Sequence, residues 1–118
     1  MPHLPTEFVD LPGIRLAYCQ HGSGPDLLLL HGNSESKRIF ESYQREHFNG
    51  FRTHALDTRG HGESRSKDEM LTFDQISDDV IAYCQAKGIE QAFVIGYSDG
   101  GNTALMLAHK DPARFPRL

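Results

Sequence analysis

Apolar and polar residues alternate near the start of the chain. Ile14, Leu16 and Tyr18 sit between Arg15, Ala17 and Cys19, a period of two that predicts a strand. Residues 7–11 read as a strand before it, and Pro12 with Gly13 is a turn signal, so the chain opens on a hairpin. The pattern then changes. Beyond Gly22, Ser23, Gly24 and Pro25, four leucines at 27–30 follow one another without alternation, as a strand buried on both faces requires. In the polar loop from His31 to Ser36 either Ser34 or Ser36 can cap a helix. Its Ile39, Phe40, Tyr43 and His47 share a face, and Asn49 with Gly50 stops it. Residues 51–57 form the next strand, which runs into a glycine-punctuated loop from Thr58 to Ser64 and a charged stretch up to Leu71. Thr72 and Gln75 have capping-box spacing. The helix behind them places Ile76, Val80, Tyr83, Cys84 and Lys87 on one face, with the lysine stem at its edge, and Gly88 ends it. Residues 92–95 form a short apolar strand, and residues 102–108 form a helix that Asp111 and Pro112 terminate.

A hairpin followed by three strand–helix units predicts an α/β protein. The expected architecture is a three-layer α/β/α sandwich whose mostly parallel sheet carries an antiparallel first hairpin. Ligands of such sheets bind at the carboxyl ends of the strands. His31-Gly32-Asn33, the 57–64 loop and Ser98 all fall at those ends, so they should converge.

Composition narrows the class. At 118 residues, with 38% hydrophobic and 24% charged residues, the chain reads as one soluble globular domain rather than a disordered segment. A formal charge of −4 supplies no electrostatic footprint for nucleic acid or an anionic membrane, so neither is expected as a partner. The first residues lack the basic and apolar regions of a signal peptide, and no apolar run is long enough for a bilayer. Cys19 and Cys84 form no C-x-x-C or zinc spacing, which suits reduced thiols in a cytoplasmic protein. No H-x-x-x-H or H-E-x-x-H pattern joins the histidines, so no metal or other cofactor is expected.

Chemistry concentrates in Gly96-Tyr97-Ser98-Asp99-Gly100, between the last strand and the last helix. A strand that enters a helix through G-x-S-x-G is a nucleophile elbow, its serine lifted clear of the sheet by a strained turn. Ser98 is then a candidate nucleophile; its plainer role is a helix-capping serine. With LLLLHGNSES at 27–36, LDTRGHGES at 56–64 and VIGYSDGGNTA at 94–104, residues from about Ile14 to Pro112 resemble the amino-terminal half of the α/β-hydrolase fold family. The resemblance implies that the leucine strand lies between the 51–57 and 92–95 strands. It implies Ser98 as nucleophile and the backbone N–H groups of Asn33 and Asp99 as oxyanion hole, although Gly32 and Asn33 also read as a simple turn. The GYSDGG form is similar to hydrolases of small esters, amides or lactones. Haloalkane dehalogenases and epoxide hydrolases usually place aspartate in the nucleophile slot. The Asp99 side chain suits the first turn of a helix. Alternatively it faces the pocket and binds a cationic group of a small-molecule substrate. The 57–64 loop reads as architecture, tied by Asp57 and Arg59, while His31 packs in the loop it opens and His109 ends the last helix.

A serine nucleophile needs a base, and in this family the order is serine, acid, histidine. Behind Ser98 stand only Asp99, Asp111 and His109, and His109 is eleven residues along a helix, about 16 Å away. The expectation is therefore a single truncated core over 1–118, with five strands and three helices. It lacks the triad acid and histidine and is inactive alone, or serves as a binding module. Its 92–95 strand becomes a bare edge that invites self-association.

Overall fold

A computed structural model describes residues 3–66 and 72–116; the charged stretch at 67–71 lies outside the described residues. Glu7–Leu11 (β1) and Ile14–His21 (β2) pair antiparallel, with Glu7 opposite Tyr18 and Leu11 opposite Ile14. The leucine strand, Asp26–Leu30 (β3), lies between Arg52–Leu56 (β4) and Phe93–Gly96 (β6), parallel to both. A two-residue strand, Arg65–Ser66 (β5), pairs with β2 beside the main path. The order is β1-β2-β4-β3-β6, which puts the leucines where the resemblance placed them. The sheet is mixed: β2 meets β4 antiparallel, and parallel pairing is confined to the β4-β3-β6 side.

The unbroken leucine run serves two cores at once. Leu28 and Leu30 pack with Val80, Tyr83 and Cys84 of Phe73–Lys87 (α2) and with Ala104 and Leu107 of Asp99–Lys110 (α3). Leu27 and Leu29 pack on the opposite face with Phe40, Ala55, Phe48 and Phe51. Alternate residues of a strand point to opposite faces, so each position from Leu27 to Leu30 must be apolar when both faces are covered. α2 starts at the Thr72 cap, whose hydroxyl accepts from the Gln75 amide at 3.0 Å. The box is one-sided, since the Gln75 amide group turns to Asp79 instead. Gly88 closes the helix in the left-handed region at φ 70°.

The first helix differs from its sequence reading. It begins as a 3-10 turn, Lys37–Phe40, capped by Ser36, and continues as Glu41–Glu46 (α1). Of the expected apolar face of Ile39, Phe40, Tyr43 and His47, only Phe40 faces the core. Three residues per turn bring Lys37 into line with Phe40, and the buried positions are Lys37, Phe40 and Gln44. Ile39 and Tyr43 are exposed. Both buried polar side chains are engaged. The Lys37 ammonium donates to Asp57 at 2.6 Å and to Glu63 at 2.9 Å, and the Gln44 amide donates to the Cys19 carbonyl and the Thr53 hydroxyl.

The amino ends of β3 and β4 are tied by Asp26, which accepts from Arg52 and from the buried His54 at 2.8 Å. Tyr83 donates to the other nitrogen of His54 at 2.7 Å. Burial works to raise the Asp26 pKa, but the hydrogen bonds from Arg52 and His54 outweigh it and hold the carboxyl below its ordinary range. Among the described residues no helix is long and apolar enough to cross a membrane.

Candidate active site

The carboxyl end of β6 meets the first turn of α3 at Ser98, whose φ of 55° and ψ of −116° are strained for a residue with a side chain. Among the described residues only Ser34 and Ser98 combine a side chain with positive φ, and both belong to loops at the carboxyl ends of the central strands. Ser98 is exposed and makes no side-chain capping bond, so the plain capping role is not what holds it there. The turn closes because two glycines let backbones touch. A Cβ at Gly96 would lie 2.2 Å from the Gly100 carbonyl oxygen, and a Cβ at Gly100 would lie 2.1 Å from that of Leu30. The Tyr97 amide then continues the β3 ladder by donating to Leu30 at 2.9 Å.

The loop after β3 lies against this elbow. A Cβ at Gly32 would fall 3.1 Å from the Ser98 Cβ and 3.2 Å from the Tyr97 carbonyl oxygen. The loop is braced from behind, where the Gly32 amide donates to the Glu35 carboxylate at 2.8 Å. Among the described residues no hydrogen bond is formed by the backbone N–H of Asn33 or of Asp99. Two unspent amides therefore stand in the two loops that meet at Ser98.

A cleft of about 330 Å³ opens beside them, lined by His31, Asn33, Thr58, His61, Asp99 and Thr103 together with the apolar Phe73 and Ile76. It brings together the three polar segments expected to converge. Asp99 lines it, so the residue occupies the first turn of α3 and borders the pocket as well. A sequence reading that gave His61 to loop architecture missed its place in the wall; its nearness to Asn33, 28 residues earlier, leaves no sequence signal.

The two cleft histidines are occupied. The Thr58 backbone N–H can only donate, so its 3.2 Å bond to His31 Nε2 makes that nitrogen an acceptor. Nδ1 then carries the proton and donates to the Gly32 carbonyl at 2.7 Å. Burial pushes the His31 pKa down, against the raising effect of the Gly32 bond, and keeps the ring neutral. The His61 ring packs edge-on against His31 at 4.9 Å between centroids. Its Nδ1 faces the Arg59 carbonyl and Thr58 hydroxyl at 3.0 and 3.2 Å, and its Nε2 faces the Asn33 side-chain oxygen at 3.4 Å. His109 ends α3, far from the elbow.

The 57–64 loop is fixed by charge. The buried Asp57 carboxylate accepts from the Lys37 amide and ammonium and from the Glu63 amide. A Cβ at Gly62, where φ is 53°, would strike that carboxylate at 2.2 Å. Arg59 reaches α2 and grips Asp79 through two bonds of 2.8 Å, both side chains buried.

Residues 25–118 match the family model for the alpha/beta hydrolase fold. The sn-1-specific diacylglycerol lipase ABHD11 of Xenopus laevis is 36% identical over 97 residues, 80% of this chain and 31% of the lipase. Bifunctional epoxide hydrolase 2 of Sus scrofa is 35% identical over 94 residues, 76% of this chain and 17% of that protein. Among solved structures, a hydrolase from Pseudomonas aeruginosa PA01 superposes with a TM-score of 0.86 at 26% identity, covering 93% of this chain and 43% of its own. The chain spans well under half the length of the curated relatives it matches.

Proposed function

The chain belongs to the α/β-hydrolase fold family, and from that premise we propose that it carries the nucleophile and oxyanion hole of a serine hydrolase for small esters, amides or lactones. The carrying observation is the strained, exposed Ser98 at a strand–helix turn that two glycines alone can close. In the complete reaction Ser98 Oγ attacks the carbonyl carbon and forms an acyl-enzyme that water later hydrolyses. The tetrahedral oxygen is received by the free amides of Asn33 and Asp99, each donor being worth about 2.7–4 kcal/mol of transition-state stabilisation. Serine at this position favours acyl transfer over the epoxide chemistry named for one relative. No cofactor takes part in the proposed steps.

Among the described residues the base is the missing part. The proton of a serine hydroxyl must pass to a neighbouring group as the bond to carbon forms. His31 has no free lone pair, His61 is turned to its own loop and to Asn33, and His109 sits at the far end of α3. The described residues therefore bind and position a carbonyl compound without turning it over efficiently. The second reading, a binding module that keeps the cleft without catalysis, is favoured by that same occupancy of both cleft histidines.

A fluorophosphonate followed by intact mass tests both. Slow addition of one phosphonyl group, absent in Ser98→Ala, is the expected result; no addition at all leaves only the binding module. The Asp99 carboxylate borders the cleft with no hydrogen-bond partner among the described residues, which suits a cationic substrate group. An ammonium-bearing phosphonate should then react faster than a neutral one of equal size, and Asp99→Asn should bring the ratio of the two rates toward one. An unchanged ratio contradicts this role.

A further inference from the structure

Of the three asparagines, Asn33 lines the cleft and Asn102 lies inside α3, whereas Asn49 precedes a glycine in an exposed turn. This turn joins α1 to β4. It spans residues 48–51 and is closed by one hydrogen bond, from the Phe51 amide to the Phe48 carbonyl at 3.2 Å. Gly50 holds its third place at φ 92°, which glycine adopts without strain. Among the described residues neither the Asn49 side chain nor the Gly50 N–H forms a hydrogen bond. A Cβ at Gly50 would meet nothing within 4 Å, so the residue is uncrowded on that side. Its carbonyl side is the reverse. A Cβ at Gly24 would lie 2.1 Å from the Gly50 carbonyl oxygen, and one at Gly22 would lie 2.4 Å from that of Phe51. The chain beyond Asn49 is thus seated on the turn between β2 and β3, and the Arg52 amide fastens it there by donating to Pro25 at 2.9 Å. Phe48 and Phe51 pack against the cluster of Leu27, Leu29, Phe40 and Ala55.

We infer that Asn49 is a site of spontaneous covalent modification, its amide becoming a carboxylate through a cyclic imide formed with Gly50. The Gly50 nitrogen loses its proton to water and attacks Asn49 Cγ. The bond from Cγ to Nδ2 breaks, and that nitrogen takes up a proton and leaves as ammonia. Water then opens the five-membered ring at either carbonyl. Opening at the main-chain carbonyl routes the chain through the former side chain and leaves isoaspartate; opening at Cγ leaves aspartate. The attack needs a following nitrogen that is free of hydrogen bonds and unshielded by a Cβ, and Asn49 alone meets both needs. The Thr103 amide behind Asn102 is engaged inside α3, and Ser34 behind Asn33 carries a side chain. The two products differ in effect. Aspartate adds a negative charge to an exposed turn and leaves the backbone as it was. Isoaspartate inserts one more main-chain bond, about 1.5 Å, just before carbonyls that fit only against glycine at 22 and 24. It therefore unseats the amino end of β4, a slow one-way switch. Neither Ser98 nor the cleft takes part, so the inference stands apart from the catalytic reading.

Incubation of the folded chain in mildly alkaline buffer, followed by peptide mapping by mass, tests it. The amide-to-acid mass gain should appear at Asn49, at a rate within an order of magnitude of that in the urea-unfolded chain. Asn33 and Asn102 should remain unchanged over the same period. An isoaspartyl methyltransferase should label part of the product. Asn49→Gln should abolish the gain. Gly50→Ala, checked for folding by circular dichroism, should slow it by an order of magnitude, because a Cβ then stands beside the attacking nitrogen. The isoaspartyl fraction should unfold at lower urea than the aspartyl fraction, and Asn49→Asp should match the unmodified chain. A folded-state rate more than an order of magnitude below the unfolded one overturns the inference. So does an earlier gain at Asn33 or Asn102, an unchanged rate in Gly50→Ala, or an isoaspartyl fraction as stable as the aspartyl one.

Discussion

Gly100→Ala is expected to unseat the elbow, and Gly101→Ala, one residue on, is expected to leave it intact. At Gly100 the new Cβ would lie 2.1 Å from the Leu30 carbonyl oxygen and 2.9 Å from that of His31. Both obstacles are backbone, so no rotamer change relieves them and α3 must withdraw from the end of β3. Overpacking a core costs about 1–3 kcal/mol, occasionally more, and a clash with two carbonyls belongs at or above the top of that range. At Gly101 the nearest atom would be the Gly96 carbonyl oxygen at 3.6 Å, an ordinary contact. Alanine is favoured over glycine inside a helix by about 0.5–1 kcal/mol, so this variant should be slightly more stable. Urea unfolding of both variants checks the pair. Equal stability would mean that strand and helix do not meet at Gly100 as described. Ser98 labelling should fall with Gly100→Ala alone.

Lys37→Met should cost about 3–5 kcal/mol, the penalty for stranding one member of a buried ion pair. The Lys37 and Asp57 side chains are 1% and 0% exposed and meet at 2.6 Å. Methionine replaces the stem and leaves the Asp57 carboxylate with two backbone amides but no cation. Since domains of this kind are stable by about 5–15 kcal/mol, the variant should unfold at far lower urea than the parent. Adding Asp57→Asn removes the stranded charge and should recover part of the loss. A single-variant cost below about 1 kcal/mol would mean that Lys37 is solvated rather than buried.

These two sites show what the sequence could and could not disclose. The doubly covered leucine strand and the tight strand–helix turn were legible because each depends on local pattern, while the strand order came from the family resemblance. Four unbroken leucines demand cover on both faces, and glycine at 96 and 100 is what a tight strand–helix turn needs. The buried face of the first helix was not legible. Counting apolar residues selects Ile39 and Tyr43, whereas the structure buries Lys37 and Gln44, whose nitrogens donate to partners 20 and 9 residues later while Gln44 Oε1 stays without a partner among the described residues. Arg59 was read as tying its loop, and its ion pair with Asp79 on α2 is one that no local pattern announces. The His31–His61 contact is equally remote, the two residues lying 30 positions apart with no period to reveal it. What sequence conceals here is polar pairing over long separations, and those pairs hold the cleft in shape.

We propose that the described residues present a nucleophile and an oxyanion hole but no base. A general base contributes about 10²–10⁴-fold, so the rate at which Ser98 is phosphonylated reports directly on whether one is present. The decisive measurement is that rate, by mass spectrometry, in the unaltered chain and in His61→Gln, without imidazole and with it in solution. The account predicts slow modification confined to Ser98, little changed by His61→Gln and accelerated in proportion to added imidazole. Rapid modification that ignores imidazole and is lost in His61→Gln would contradict it, by showing that the chain already holds its base.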